Sequence, residues 1–133
     1  MKVFVGGSKT ITYLKDEVKN SLDTLCAMGA EFLIGDCFGA DKLLQQYLYD
    51  KGYSKVTVYV SGERTRNNIG GFIEKHINAE GLSGFEFYRQ KDIVMAEDSD
   101  RGLMLWDGKT MGTSANIQDM RRMGKEVTVI RYE

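Results

Sequence analysis

Apolar residues in this chain fall into short continuous runs, separated by stretches in which they recur every three or four positions. Lys2 to Gly6 is a run that stops at Gly6-Gly7-Ser8, which predicts a buried strand and a tight turn. Leu14, Val18, Leu22, Leu25 and Cys26 then mark one face of a helix ending near Gly29. Glu31 to Ile34 predicts a second strand, and Ala40, Leu43, Leu44, Tyr47 and Leu48 share the face of a second helix that stops at Gly52. Val56 to Val60 (VTVYV) is β-branched and aromatic, as a third strand requires. Helical character resumes from about Arg89 to Glu97, and Gly102 to Trp106 predicts a fourth strand. A helix over about Ser114 to Met123 with Gly124 as its stop, and a last strand over Val127 to Ile130, complete the pattern.

Five strands alternating with helices imply a mainly parallel sheet in a single α/β domain over residues 1–133, because right-handed crossovers must pack their helices back onto both faces. The pattern lapses over 61–88. This stretch is rich in Gly and has one helical segment, around Phe72 to Ala79, so it is expected to be a variable excursion or a lid. Its run Arg64-Thr65-Arg66-Asn67-Asn68 suits either a phosphate clamp or a solvated polar loop.

Composition narrows the class. Hydrophobic residues at 42% and charged ones at 28% are those of a globular chain, not of a disordered or fibrous one. A formal net charge of −1 gives no global field toward nucleic acid or an anionic bilayer, so neither is expected as a partner. No apolar run approaches the roughly 20 residues of a membrane span, and the N-terminal run is too short for a secretory signal, so the expected compartment is the cytoplasm. Cys26, Cys37 and one His offer no metal-ligand spacing, so no metal is expected and the thiols are expected to be free. The absence of Pro beside 15 Gly points to loops with close backbone approaches or unusual turns.

The candidate chemistry lies where strands end. Gly6-Gly7-Ser8-Lys9, the loop from Gly35 to Asp41, and the loop from Asp107 to Ser114 each join a strand end to a helix start. Their free N–H groups and the positive ends of the helix dipoles then face one crevice, which suits phosphate or carboxylate. The alternative for any one of them is that Gly only punctuates a turn. None fits the Walker or the G-x-G-x-x-G pattern.

The ordered segments VFVGGS, GDCFGADKLLQQYL, KDIVMAEDSD, LWDGKTMGTSANI and GKEVTVI resemble the SLOG superfamily, which takes in LOG-like phosphoribohydrolases and DprA-like proteins. The small YspA-like branch is the nearest in look. The resemblance implies a Rossmann-like three-layer fold that binds nucleotides or nucleotide-derived ligands, with no separate cofactor. Phosphate would be received at Gly112, Thr113 and Ser114, beside Asp107 and Gly108. Gly6, Gly7 and Ser8 would line the floor, and Gly35, Asp36, Gly39 and Asp41 would face the ribose or base. Asp36 and Asp41 could equally serve as helix caps. Two positions depart from the LOG pattern: Lys91, with Arg89 upstream and Asp92 after it, stands where an Arg is expected, and Asn116 stands in place of a Glu.

Cleavage of an N-glycosidic bond needs a carboxylate, which Asn116 does not supply. The expected function is therefore a sensor, carrier or sequestering protein for an ADP-ribose-like or cyclic nucleotide. The alternative is an N-glycoside hydrolase or a deoxyribosyl or phosphoribosyl transferase with Asp92 or Asp107 as the catalytic carboxylate. Nucleic acid is the weakest reading because the basic residues are dispersed along the chain. Related proteins commonly form dimers or larger homo-oligomers, so the same is expected here. His76 is expected at the surface or in packing, Trp106 either stacks on a base or packs, and Arg121-Arg122 complements a helix dipole.

Overall fold

The hydrophobic runs become strands and the striped segments become helices, in the order β1 (Lys2–Gly7), α1 (Asp16–Ala27), β2 (Glu31–Gly35), α2 (Ala40–Asp50), β3 (Val56–Ser61), β4 (Ile73–Ile77), α3 (Gly84–Asp98), β5 (Arg101–Trp106), α4 (Met111–Arg122) and β6 (Glu126–Arg131). The structure is a computed structural model and describes residues 1–133. Every strand pairing is parallel, and the order across the sheet is β4-β3-β2-β1-β5-β6. Central strands read as continuous apolar runs because helices cover both of their faces. Val3, Val5, Phe32, Ile34, Leu103 and Leu105 pack under α1 and α2, against Val18, Leu22, Leu44 and Leu48. Phe4, Leu33 and Met104 point the other way, into Met95 and Ala96 of α3 and Ile117 and Met120 of α4. No helix is long and apolar enough to cross a membrane.

The sheet has six strands where five were expected. The additional one, β4, occupies the stretch around Phe72 to Ala79 that periodicity assigns to a helix. Its central residues Glu74, Lys75 and His76 are exposed and carry polar or charged groups, as suits an edge strand that must resist further pairing. Backbone pairing from Thr57↔Ile73 to Ser61↔Ile77 holds it, so its side chains show no alternation to read. Helix α3 also starts early, at Gly84. Its buried face includes Lys91 beside Met95 and Ala96, and that charged residue interrupts the apolar stripe.

The crossover from β3 to β4 is held by side-chain amides. Gln45 of α2 donates to the carbonyls of Gly35 (2.9 Å) and Asn67 (3.2 Å) and accepts the Ile69 N–H (2.8 Å). Asn68 bonds both the N–H and the carbonyl of Phe72, which packs against the α1/α2 core.

The path reverses at β1: β2 and β3 lie on one side and β5 and β6 on the other. The loops after β1 and β5 therefore leave toward opposite faces and part to form a crevice at the carboxyl edge. Its floor depends on Gly7. A Cβ there would overlap the Leu105 carbonyl oxygen and come within 2.8 Å of Leu105 Cβ and 2.9 Å of Ala40 Cβ. Backbone cannot yield as a flexible side chain can. Gly7→Ala is expected to lower unfolding stability by about 1–3 kcal/mol, the usual range for forced overpacking, read as a lower urea midpoint at unchanged m-value.

Candidate functional site

Ser8, nearly inaccessible, joins three loops at the crevice. Its N–H donates to the Leu105 carbonyl (2.9 Å), its carbonyl accepts the N–H groups of Ile11 and Ala40 (3.2 Å each), and its hydroxyl lies 2.5 Å from Thr110 Oγ1 while accepting the Asp107 N–H at 3.1 Å. Asp107 shapes the β5–α4 loop: Oδ1 accepts the N–H groups of Lys109 and Thr110 (2.8 Å each) and Oδ2 accepts the Thr10 hydroxyl (2.7 Å). These donors, the Thr110 N–H foremost, hold its carboxyl well below the usual carboxylate range. Neither Thr110 nor Gly39, the residues preceding α4 and α2, caps its helix with a side chain. The first N–H groups of α4 thus keep unfilled donor capacity and a positive dipole end, whereas the first N–H of α2, that of Ala40, is taken by the Ser8 carbonyl.

These loops and the start of α3 enclose a cleft of about 720 Å³. Five cations line it: Lys9, Arg66, Arg89, Lys91 and Lys109. Three are engaged internally. Arg66 donates to Asp36 through both its side chain (2.8 Å) and its backbone N–H (2.9 Å), and its guanidinium lies 4.0 Å from the centre of the Tyr88 ring. Arg89 bonds Asn116 (3.1 Å) and Asp119 (2.7 Å). Lys91 bonds the Tyr88 carbonyl (3.1 Å) and Asp92 (3.0 Å). Lys9 and Lys109 are exposed and form no ion pair. Phe85, Tyr88 and Met111 add exposed apolar surface at the walls.

Asp41 lies at the bottom. Its Oδ2 accepts the Cys37 N–H at 3.2 Å, and no cation lies within ion-pair distance of it. Burial pushes its pKa up to about 7, against the pull of the Lys91 charge and with the push of Asp92. Lys91 is itself raised: burial alone would lower it, but the charges of Asp92 and Asp41 outweigh that.

The structure gathers much of the expected set around one cleft: Gly6, Gly7, Ser8, Gly35, Asp41, Arg89, Lys91, Asp92, Gly112, Thr113 and Asn116 all line it. Asp36, Gly39, Asp107, Gly108 and Ser114 do not. Asp36 is buried and taken up by Arg66, which seats the β3–β4 crossover against the β2–α2 loop. Gly39, at φ +71°, lets that loop cross directly over the Lys9 backbone. Ser114 accepts from Gln118. Trp106 donates to the Thr110 carbonyl (3.0 Å) and lies under Arg131, so it packs. His76 sits on β4, bonded to the Gly62 carbonyl and to Glu74. Both cysteines are free. Lys109, Thr110, Met111, Phe85 and Tyr88 were not among the expected ligand residues. The first three follow Asp107-Gly108 at the end of the loop and the start of α4, but the two aromatics carry no local signal.

No family model matches the sequence, and no curated protein is similar to it. Among solved structures, the fold is similar to that of DNA processing protein A from Helicobacter pylori, described for its single-stranded DNA binding mode. The TM-score is 0.69 at 13% identity, over 100% of this chain and 66% of that one. The likeness establishes a Rossmann-like, DprA-like fold, and nothing in it distinguishes a YspA-like branch. It overturns the expectation of a small nucleotide-derived ligand, ADP-ribose-like or cyclic, with nucleic acid set aside, because the protein sharing this fold binds single-stranded DNA. Nucleic acid was set aside on charge judged along the chain. Cations far apart in sequence come together on one cleft, which neither net charge nor local clustering records.

Two outcomes follow. Asp41 holds its proton more tightly in the folded chain than an unfolded aspartate does, so its contribution to stability is full below about pH 4, falls as pH rises toward 7, and is level above that. Asp41→Asn, which keeps the shape without the charge, is expected to raise the melting temperature at pH 8 and to leave it unchanged near pH 4. Arg66→Met leaves Asp36 buried and unpaired and is expected to cost about 3–5 kcal/mol in urea denaturation.

Proposed function

We propose that this protein binds single-stranded DNA along the carboxyl edge of its sheet, with the strand backbone held at the rim of the cleft. The observation that carries this reading is the meeting of two unpaired lysines, Lys9 and Lys109, with the uncapped start of α4 beside exposed aromatic side chains. Sequence-tolerant binding of single strands uses the same two components: cations that track phosphates, and ring faces that take bases. Gly112 and Thr113, with Lys9 and Lys109, would receive phosphate. Phe85 and Tyr88, each more than 40% exposed, would meet bases. Arg66, Arg89 and Lys91 have their charges largely compensated and serve the site by holding its walls. Asp107 acts as the support of the phosphate loop. The DprA-like fold supports the reading, and the segments VFVGGS and GDCFGADKLLQQYL support a place near the YspA-like branch.

Fluorescence anisotropy with labelled single-stranded oligonucleotides tests it. The logarithm of affinity should fall linearly with the logarithm of salt concentration, and replacing both Lys9 and Lys109 by Ala should flatten that slope by roughly 1.4, about 0.7 for each phosphate no longer neutralised. A Cβ at Gly112 meets nothing within 4 Å, and a carboxylate in the first turn suits the helix dipole. Gly112→Glu should therefore leave the melting temperature intact or higher while weakening the oligonucleotide about tenfold or more. If no oligonucleotide binds in a salt-dependent way, the proposal is wrong.

A further inference from the structure

We infer that Asp41 reads one base of the bound strand: an amino-bearing base enters the cleft edge-on and donates an N–H to Asp41 Oδ1. This deepens the single-strand reading and rests on it. Asp41 is only 7% exposed, and of its two oxygens only Oδ2 has a protein donor, the Cys37 N–H. Asp41 lines the cleft, so its free oxygen faces a space a ligand can enter. Two glycines border the carboxyl. A Cβ at Gly35 would press to 2.6 Å of Oδ2, and one at Gly6 would sit 3.4 Å from Oδ1, in van der Waals contact with it. Lys91 Nζ is already engaged by Asp92 and the Tyr88 carbonyl, so the floor presents a free acceptor and no free cation.

That polarity sorts the parts of a nucleotide. Phosphate is repelled by the Asp41 carboxylate and attracted to the rim, where Lys9 and Lys109 stand. Phe4, Met95, Phe85 and Tyr88 form apolar walls, which suit a flat heterocycle better than a hydrated sugar. Cytosine, adenine and guanine carry exocyclic amino groups whose N–H points outward. Thymine offers only a ring N–H between two carbonyl oxygens, both of which repel a carboxylate. The site therefore discriminates against thymine.

The test is competition anisotropy at pH 8, where Asp41 is charged, with deoxycytidine and thymidine homo-oligomers and with a deoxycytidine oligomer dimethylated at its exocyclic amines. Wild-type protein should prefer the deoxycytidine oligomer over thymidine by about tenfold, the scale of one hydrogen bond to a charged group, and the dimethylated oligomer should bind like thymidine. In Asp41→Asn the preference should shrink to within about twofold. Lys9→Ala should weaken both unmodified oligomers alike and keep their ratio. Should the wild type bind deoxycytidine and thymidine oligomers equally, or should Asp41→Asn keep the full preference, the assignment to Asp41 is overturned while strand binding stands. If no oligomer binds at all, it is the strand-binding reading that fails. The wild-type comparison needs no variant, so it decides the matter even if a substitution disturbs folding.

Discussion

Everything in the cleft depends on how closely three backbones meet at the end of β1. With no side chain at Gly7, β1 lies against the Leu105 carbonyl and the first residue of α2 at a spacing no other amino acid permits. Ser8 then follows in a fixed place, and its N–H, carbonyl and hydroxyl join the β1, β5 and α2 termini. The uncapped helix starts face a common space because those termini are held together. A looser junction would leave the same loops as independent turns over the sheet.

Around that junction the charges divide by role. Asp36 with Arg66, Asp119 with Arg89, and Asp92 with Lys91 are partly or wholly withdrawn from water and hydrogen-bonded, so they fix the crossover, α4 and α3 as walls. Losing one partner of such a pair costs more than the pair contributes, because the other charge is left buried. Lys9 and Lys109 remain free to act on a ligand. A chain of net charge −1 can thus carry a cationic rim above an acidic floor, since a nearby phosphate responds to local potential and not to the total.

Much of the architecture is legible along the chain because burial on both faces writes itself as continuous apolar runs such as VFV and VTVYV, and amphipathic cover writes itself as three-four spacing such as Val18 and Leu22. β4 escapes because an edge strand is defined by a partner's free N–H and C=O groups, and Glu74, Lys75 and His76 obey no burial rule. The first turns of α3 escape because their aromatic residues face the cleft and Lys91 faces inward. At the site, the glycines and hydroxyls of the strand-end loops could be named from position alone. Whether Asp36 or Asp41 faces the opening could not, since both follow the same strand within a few residues. Arg66, from a distant crossover, settles it by taking Asp36.

The sequence by itself determined the alternation of strands and helices, the parallel sheet and the edge of it where the strand-end loops gather, because hydrophobic spacing and the handedness of crossovers are local consequences of backbone geometry. Tertiary structure alone decided which carboxylate is open, which cations are free and where the aromatic walls stand. Those properties are set by distances between residues far apart in the chain, and no local pattern encodes such distances.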